Sequence, residues 1–486
     1  MLTGKAMGAG GTGSLGVGSW LSASSTFFGN SAVLMGLSGQ NADGDTVING
    51  AWESGGFNTN PPFEGLTFIT RDKDGTKLLQ MEIDVSSYSS SSSLNKYCRA
   101  GIDDSRNVYV AFFDSTVTGS PTQAALIIIK LNSSGVIQWQ KSYPQVGLTT
   151  CMAVSGAGDL YLCGSIASTS STTSFRPMMC KINSSGTFQW QRIVSSSNTS
   201  TAEIGKYIKI APNGNIYMST DFGNSGGNLY QFSPSGAIQG GGISLDDGNN
   251  QPAAFAIDSD DNIYTMQKRL ISTQPTPNGT IRSQVMKINS SGVVQESWNC
   301  TTAQRFEGPN KDIAINEKTG HLAIVGLALN VNNSRTEVCF AELDLSTGTA
   351  NFAFNFRGQG LAERSGLPNY VFDGILNGVT VFNSQDDTYQ IAVSVQGSNF
   401  TGGQYTMQID PLKLPIDGTY GFVGTPSFNT GPMVTVDTFA YAWQTSSNAV
   451  ATMSRTSSTR TIGTPTNTSF TVVAVTSVTE TYNTIS

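Results

Sequence analysis

The segment KLNSSGVIQWQ at residues 130–140 returns almost unchanged as KINSSGTFQWQ at 181–191 and as KINSSGVVQESW at 287–298. Each copy is an apolar run, a polar Asn-Ser-Ser-Gly turn and a second run alternating apolar with polar residues. That is the pattern of a β-hairpin whose turn needs residues tolerant of a left-handed backbone. Looser copies lie at 231–239, 342–352 and 70–79, with turn glycines at 75, 135, 186, 236, 292 and 348. A period of about 50–60 residues belongs to repeat architectures, in which a unit too small to bury its own faces is stable only when stacked on its neighbours.

A second hairpin sits between the copies of the first: AGIDDSRNVYVAF (100–112), MAVSGAGDLYLCG (152–164), IKIAPNGNIYMST (208–220) and FAIDSDDNIYTM (255–266). Looser versions occur at 313–326, 378–395 and 441–454. One hairpin of each kind makes a four-stranded sheet. Seven such sheets stacked radially predict an all-β fold, a closed β-propeller of seven four-stranded blades, with six or eight also compatible with the spacing. The phase of the repeats predicts that the ring, residues 61–455, closes by pairing 65–84 with 433–455. The seventh partner hairpin then falls at 405–422, where the match to the repeat is poor.

The two hairpins resemble the bacterial β-propeller repeats in which D-x-x-G-N-x-Y precedes K-x-N-x-x-G-x-x-x-W. The matching pieces are PNGNIYM (212–218), DSDDNIY (258–264) and the three NSSG segments with Trp139, Trp190 and Trp298, over roughly residues 62–455. The resemblance implies the fold and says little of chemistry, because propellers host enzymes, lectins and scaffolds alike. The three tryptophans are expected to pack in the core between blades.

Residues 1–60 are Gly-rich but carry Trp20, Phe27, Phe28, Leu34, Met35 and Trp52, more large apolar groups than a linker has, and read as a docking arm. Residues 456–486 form a Thr/Val-rich C-terminal tail with an uncharged strand expected at 469–478. Such a strand is an aggregation hazard unless paired, so a partner chain or the N-terminal arm is its expected partner.

Net charge is -7, with 13% charged residues and no run of Lys or Arg, which argues against nucleic acid. No apolar stretch is long enough for a membrane-spanning helix, and no membrane insertion is expected. The N-terminus reads as lacking a secretory signal. Six scattered cysteines are expected as reduced, mostly buried thiols.

His321 is the only histidine, too few for a Ser-His-Asp or His-based metal site, and is read as an exposed turn residue. Asp43/Asp45, Asp72/Asp74 and Asp258/Asp260/Asp261 could supply oxygen ligands to a calcium ion, but no full twelve-residue loop is present and solvated turns are expected. LDLSTG (343–348) is similar to the turn of quinoprotein propeller repeats, yet occurs once and carries Phe352 where those repeats carry Trp. No catalytic residue, metal or cofactor is therefore assigned.

Low charge, abundant Ser, Thr, Asn and Gly, and two adhesive ends resemble the structural proteins of tailed bacteriophages. The resemblance implies a non-enzymatic virion component (tail, fibre or baseplate), assembled in the host cytoplasm, homo-oligomeric and bound to other virion proteins. The alternative is a receptor- or glycan-binding adhesion module on the virion or a bacterial surface, using irregular loops at 167–175, 268–281 and 358–369.

Overall fold

The computed structural model describes residues 20–24, 32–35, 39–53, 63–73, 76–85, 99–114, 125–144, 146–168, 171–194, 203–221, 227–244, 252–271, 280–300, 305–330, 335–358, 379–383, 388–397, 400–409, 434–438, 443–445, 451–452, 457–458, 466–467, 472–474 and 480–484. Every regular element among them is a β-strand.

The first strand, β1 (Trp20–Ser24), belongs to the last sheet. Sheet 1 holds β2 (Ala32–Met35), the short β3 (Gly39–Gln40), β4 (Thr46–Glu53), β5 (Phe63–Arg71) and β6 (Lys77–Asp84). Sheet 2 holds β7 (Arg99–Ile102), β8 (Val108–Asp114), β9 (Ala125–Leu131) and β10 (Ile137–Pro144). Sheet 3 holds β11 (Leu148–Val154), β12 (Leu160–Ser168), β13 (Ser171–Ile182) and β14 (Phe188–Val194). Sheet 4 holds β15 (Ile204–Ile210), β16 (Ile216–Asp221), β17 (Asn228–Phe232) and β18 (Ile238–Ser244). Sheet 5 holds β19 (Pro252–Ile257), β20 (Ile263–Ile271), β21 (Thr280–Ile288) and β22 (Val294–Cys300). Sheet 6 holds β23 (Arg305–Asn316), β24 (His321–Asn330), β25 (Arg335–Asp344) and β26 (Thr349–Gly358). Sheet 7 takes β27 (Val379–Asn383), β28 (Thr388–Gly397) and β29 (Phe400–Ile409), with β1 as its fourth strand.

All pairings are antiparallel, and each sheet meets the next: β4 lies against β7, β7 against β11, β11 against β15, β15 against β19, β19 against β23 and β23 against β27. β2 lies against β28 and β29, which returns the circuit to its start. The architecture is an all-β propeller.

The reason is visible in β9, ALIIIKL. Ile127 and Ile129 pack with Phe68, Met81 and Ile83 of sheet 1, while Leu126 and Ile128 pack with Met152, Leu162 and Met178 of sheet 3. A strand covered on both faces needs apolar residues in succession.

The tail is the largest departure from expectation. It forms β30 (Val434–Thr438), β31 (Trp443–Thr445), β32 (Ala451–Thr452), β33 (Ser457–Ser458), β34 (Thr466–Asn467), β35 (Val472–Ala474) and β36 (Glu480–Thr484). These add an outermost strand to sheets 6, 5, 4, 3, 2, 1 and 7 in that order, the fifth in each except sheet 1, which has six because the short β3 also pairs with β4. The chain leaves sheet 7 and runs backwards around the outside of the ring as a belt.

Several expectations are thereby corrected. Residues 65–84 do not pair with 433–455: β5 and β6 pair with each other, and the closing pair is β1 on β29, Trp20↔Gln408 through Ser24↔Gln404. Residues 441–454 are not a repeat hairpin, since β31 pairs with β22 and β32 with β18. The missing copy is Gly39–Glu53, whose Asn-Ala-Asp-Gly-Asp turn closes with Gly44 N–H on the Asn41 carbonyl (3.1 Å). Within the segment 1–60 expected as an arm, the described strands belong to the sheets of the ring: Trp20 lies in β1, Leu34 and Met35 in β2 and Trp52 in β4, while residues 1–19, Phe27 and Phe28 lie outside the described residues. Of the strand expected at 469–478, the described part is β35, and it pairs with β6 of sheet 1, Val472↔Ile83 through Ala474↔Met81, rather than with either expected partner. At 405–422, β29 takes β1 instead of a hairpin partner, and 410–422 lie outside the described residues.

Candidate functional site

Antiparallel order places the turns between first and second strands, and between third and fourth strands, on one face of the ring. Each inner turn is organised by its first polar side chain. Asp258 Oδ1 accepts from the backbone N–H of Asp260 (3.0 Å) and Asn262 (2.8 Å), and its Oδ2 accepts from Asn262 Nδ2 (2.9 Å) and the Tyr264 hydroxyl (3.1 Å). Asp103 does the same with Asn107 and Tyr109. Burial, reinforced by these carboxylates, pushes the Tyr109 and Tyr264 hydroxyls well above the usual tyrosine pKa. D-x-x-x-N-x-Y is therefore one physical unit, a turn cap and a strand anchor.

Of the aspartates weighed as calcium ligands, Asp45, Asp72, Asp258 and Asp261 hold turns or neighbouring sheets, while Asp43 and Asp260 are exposed. Asp45, 1% exposed, holds the Arg106 guanidinium at 2.6 Å, which raises the arginine pKa further. Asp261 Oδ2 accepts from Asn213 Nδ2 of sheet 4 at 2.5 Å. Asp72 Oδ1 caps the Thr76 N–H at 2.7 Å, and Asp74 lies outside the described residues. These turns also join neighbours: Ala42 N–H donates to Asp104 Oδ1 (3.0 Å), and Asp104 N–H to the Gly156 carbonyl (3.2 Å).

The outer turns carry a second set of joints. Trp139 Nε1–H donates to the Ser184 carbonyl at 3.0 Å, Lys141 Nζ to the Ser185 and Gly186 carbonyls, and the Tyr143 hydroxyl to Gly186 at 2.8 Å. One sheet on, Trp190 donates to Pro234 (3.2 Å) while Arg192 donates to Ser235 and Gly236. The tryptophans lean on the anchor tyrosines, Trp139 on Tyr109 and Trp190 on Tyr161, each at 6.2 Å between centroids. Lys130, Lys181 and Lys287 lie over the rings of Tyr109, Tyr161 and Tyr264.

Trp139 and Trp190 are thus half-buried clamps across a sheet boundary. Trp298 sits two residues later in its repeat and is fully buried, its ring against Gly348 of sheet 6. The clamp cations Lys141 and Arg192 were not singled out from the sequence, although both lie two residues after the repeated Trp. His321 is no exposed turn residue: its Nδ1 is 2.9 Å from Glu342 Oε1, and the buried Tyr389 hydroxyl of sheet 7 donates to the other oxygen of that carboxylate.

On the opposite face, the described parts of two segments expected as irregular loops, 167–168 and 171–175 and then 268–271 and 280–281, are extensions of strands. β12 and β13 pair out to Ser168↔Ser171, and β20 and β21 out to Ile271↔Thr280. The third segment, 358–369, lies beyond the described residues apart from Gly358 at the end of β26. The turn face, in which carboxylates, cations and indoles are bound to neighbouring sheets, is chemically suited to holding sheets at fixed angles.

No protein-family model and no curated protein matches this sequence. Among solved structures, the chain is similar to one described as the Dos1 propeller, with 9% identity and a TM-score of 0.42 over 80% of this chain and 96% of the other. It is also similar to the polysaccharide lyase Uly1, with 10% identity and a TM-score of 0.43 over 75% and 88%. A luciferin-regenerating enzyme matches at 11% identity and a TM-score of 0.35 over 63% and 89%.

Proposed function

We propose that this chain is a non-enzymatic structural component of a tailed-phage virion, a seven-bladed ring that serves as a rigid body in a tail, fibre or baseplate. The observation that supports the reading best is the belt. A particle component must survive at high local concentration without edge-to-edge association, and a belt strand on the outer strand of each sheet, paired over two to five residues, interrupts the edges through which β proteins associate. The turn face adds to this, since its polar groups are used between sheets. Low charge and buried free thiols at Cys151, Cys163 and Cys180 fit assembly in a reducing cytoplasm.

Mass spectrometry of purified tailed-phage particles against host fractions tests the proposal. Recovery in particles at a fixed stoichiometry is the expected result. Recovery only in periplasm or medium overturns it.

A second reading, a receptor- or glycan-binding module, is favoured by the strands that extend on the face opposite the turns, such as β24 and β25 paired out to Asn330↔Arg335. Under that reading, purified protein binds a glycan array or host envelope fraction, and added protein competes with particle adsorption.

A further inference from the structure

The belt is fastened unequally along its length. Its first strand, β30, pairs over five residues, Val434–Thr438 with Phe354–Gly358, and its last, β36, over five, Glu480–Thr484 with Trp20–Ser24. Between them, β31 and β35 pair over three residues each, and β32, β33 and β34 over two each. Fixing a residue costs about 1–2 kcal/mol of backbone entropy, while a net hydrogen bond contributes only about 0.5–1.5 kcal/mol, so a two-residue pairing cannot hold itself in place. Such tacks persist only when both ends of the segment are tethered and the effective concentration at each sheet edge is high.

The far tether is also the joint of the ring. β1 lies between β29 and β36, and the same five residues, Trp20–Ser24, pair on both sides. With β36 in place β1 is an interior strand; without it β1 is an edge strand held on one side only.

We infer that β36 is the buckle of a strap: its docking on β1 is the last step in completing the fold, and its release both frees the intermediate tacks as one unit and sets the rate at which the ring opens at β1. The order rests on topology: β36 reaches its place as the outermost strand of sheet 7 only through β1, so it is fixed to the ring only once β1 is paired with β29. The tacks on sheets 5, 4, 3, 2 and 1 then gain their second tether at that moment.

Native-state hydrogen exchange on the full chain, read by peptide mass spectrometry, tests this directly. Amides in 443–474 are expected to exchange together and at the rate of 480–484, with 20–24 next, and the inner strands β11 and β15 far slower. The double substitution Thr481→Pro with Tyr482→Pro removes backbone donors on both sides of β36. It is expected to speed exchange at 443–474 and at 20–24 by at least about tenfold while leaving β11 and β15 unchanged. The inference is overturned if each tack exchanges at its own rate unaffected by the substitutions, or if belt, β1 and inner strands exchange in a single event. Should the variant fail to fold, the exchange order in the unaltered chain still decides.

Discussion

A single carboxylate at the first position of an inner turn carries more structure than its exposed neighbours. Asp258 accepts four hydrogen bonds and is buried, whereas Asp260 two residues later is exposed. Removing an acceptor that leaves buried donors unmet costs about 1–3 kcal/mol, and exposed changes stay within about 0.5 kcal/mol. Asp258→Ala is therefore expected to lower unfolding stability by about 2–3 kcal/mol in urea titration, and Asp260→Ala to leave it unchanged. The D-x-x-x-N-x-Y spelling was readable in the sequence as a turn, but the Tyr hydroxyl returning to the Asp was not. A strand residue's partner depends on register, which periodicity alone leaves open.

At the scale of the hairpin, the turn glycines divide by what faces them, Gly348 and Gly236 in outer turns and Gly320 in the inner turn between β23 and β24. Gly348 (φ 67°), Gly236 (φ 84°) and Gly320 (φ 72°) all have left-handed backbones. A methyl on Gly348 would lie 2.7 Å from Trp298 Cδ1, one on Gly236 2.8 Å from Trp190 Cδ2, and one on Gly320 would meet nothing within 4 Å. The backbone term alone costs about 1–2 kcal/mol, and overpacking a fixed neighbour a further 1–3 kcal/mol or so. Trp298 is 2% exposed and cannot swing away, whereas Trp190 is only half-buried. Gly348→Ala is thus expected to cost about 2–4 kcal/mol, Gly320→Ala about 1 kcal/mol, and Gly236→Ala an intermediate amount, as measured by chemical denaturation. Equal losses at all three positions would mean that the indole-on-turn joint adds nothing to the backbone cost. The turns themselves were legible as Ser-Gly and Thr-Gly pairs, while the indole on the next sheet's turn required the ring.

Across the whole molecule, buried tyrosines make stability sensitive to alkali. Burial raises the Tyr109, Tyr143 and Tyr264 hydroxyls above their ordinary value of 10.0 and Tyr217 to about 12, with nearby acidic groups adding to burial. The folded state then holds these protons more tightly than the unfolded chain. Their contribution is full below pH 10 and is lost as pH rises through the folded values. Tyrosinate absorbance is expected to appear together with loss of the β signal in circular dichroism, above pH 10. Titration of all fifteen tyrosines near pH 10 with the β signal intact would contradict it. Tyr217 has no hydrogen-bond partner for its hydroxyl among the described residues, so Tyr217→Phe should delay alkaline unfolding without weakening the protein at neutral pH.

By itself the sequence determined the hairpins, their alternation and the sheet they build, because a strand's period, its turn residues and its need for a covered face are local properties. Residues 130–140, 181–191 and 287–298 announced the propeller for that reason. It misplaced both ends. Gly39–Glu53 was set aside as part of an arm, although its NADGD turn has the same i-to-i+4 closure as DDSRN, with a side chain at the first position accepting from the fifth residue's N–H. The segment 441–454 reads as a looser copy of the second hairpin, strand, polar turn and strand, although its two described strands join different sheets. Which sheet a short Thr- or Val-rich strand joins is decided by which edges remain free once the ring exists. That is a property of tertiary structure: only the closed ring brings β1 between β29 and β36 and makes the outer edges a continuous track for the belt.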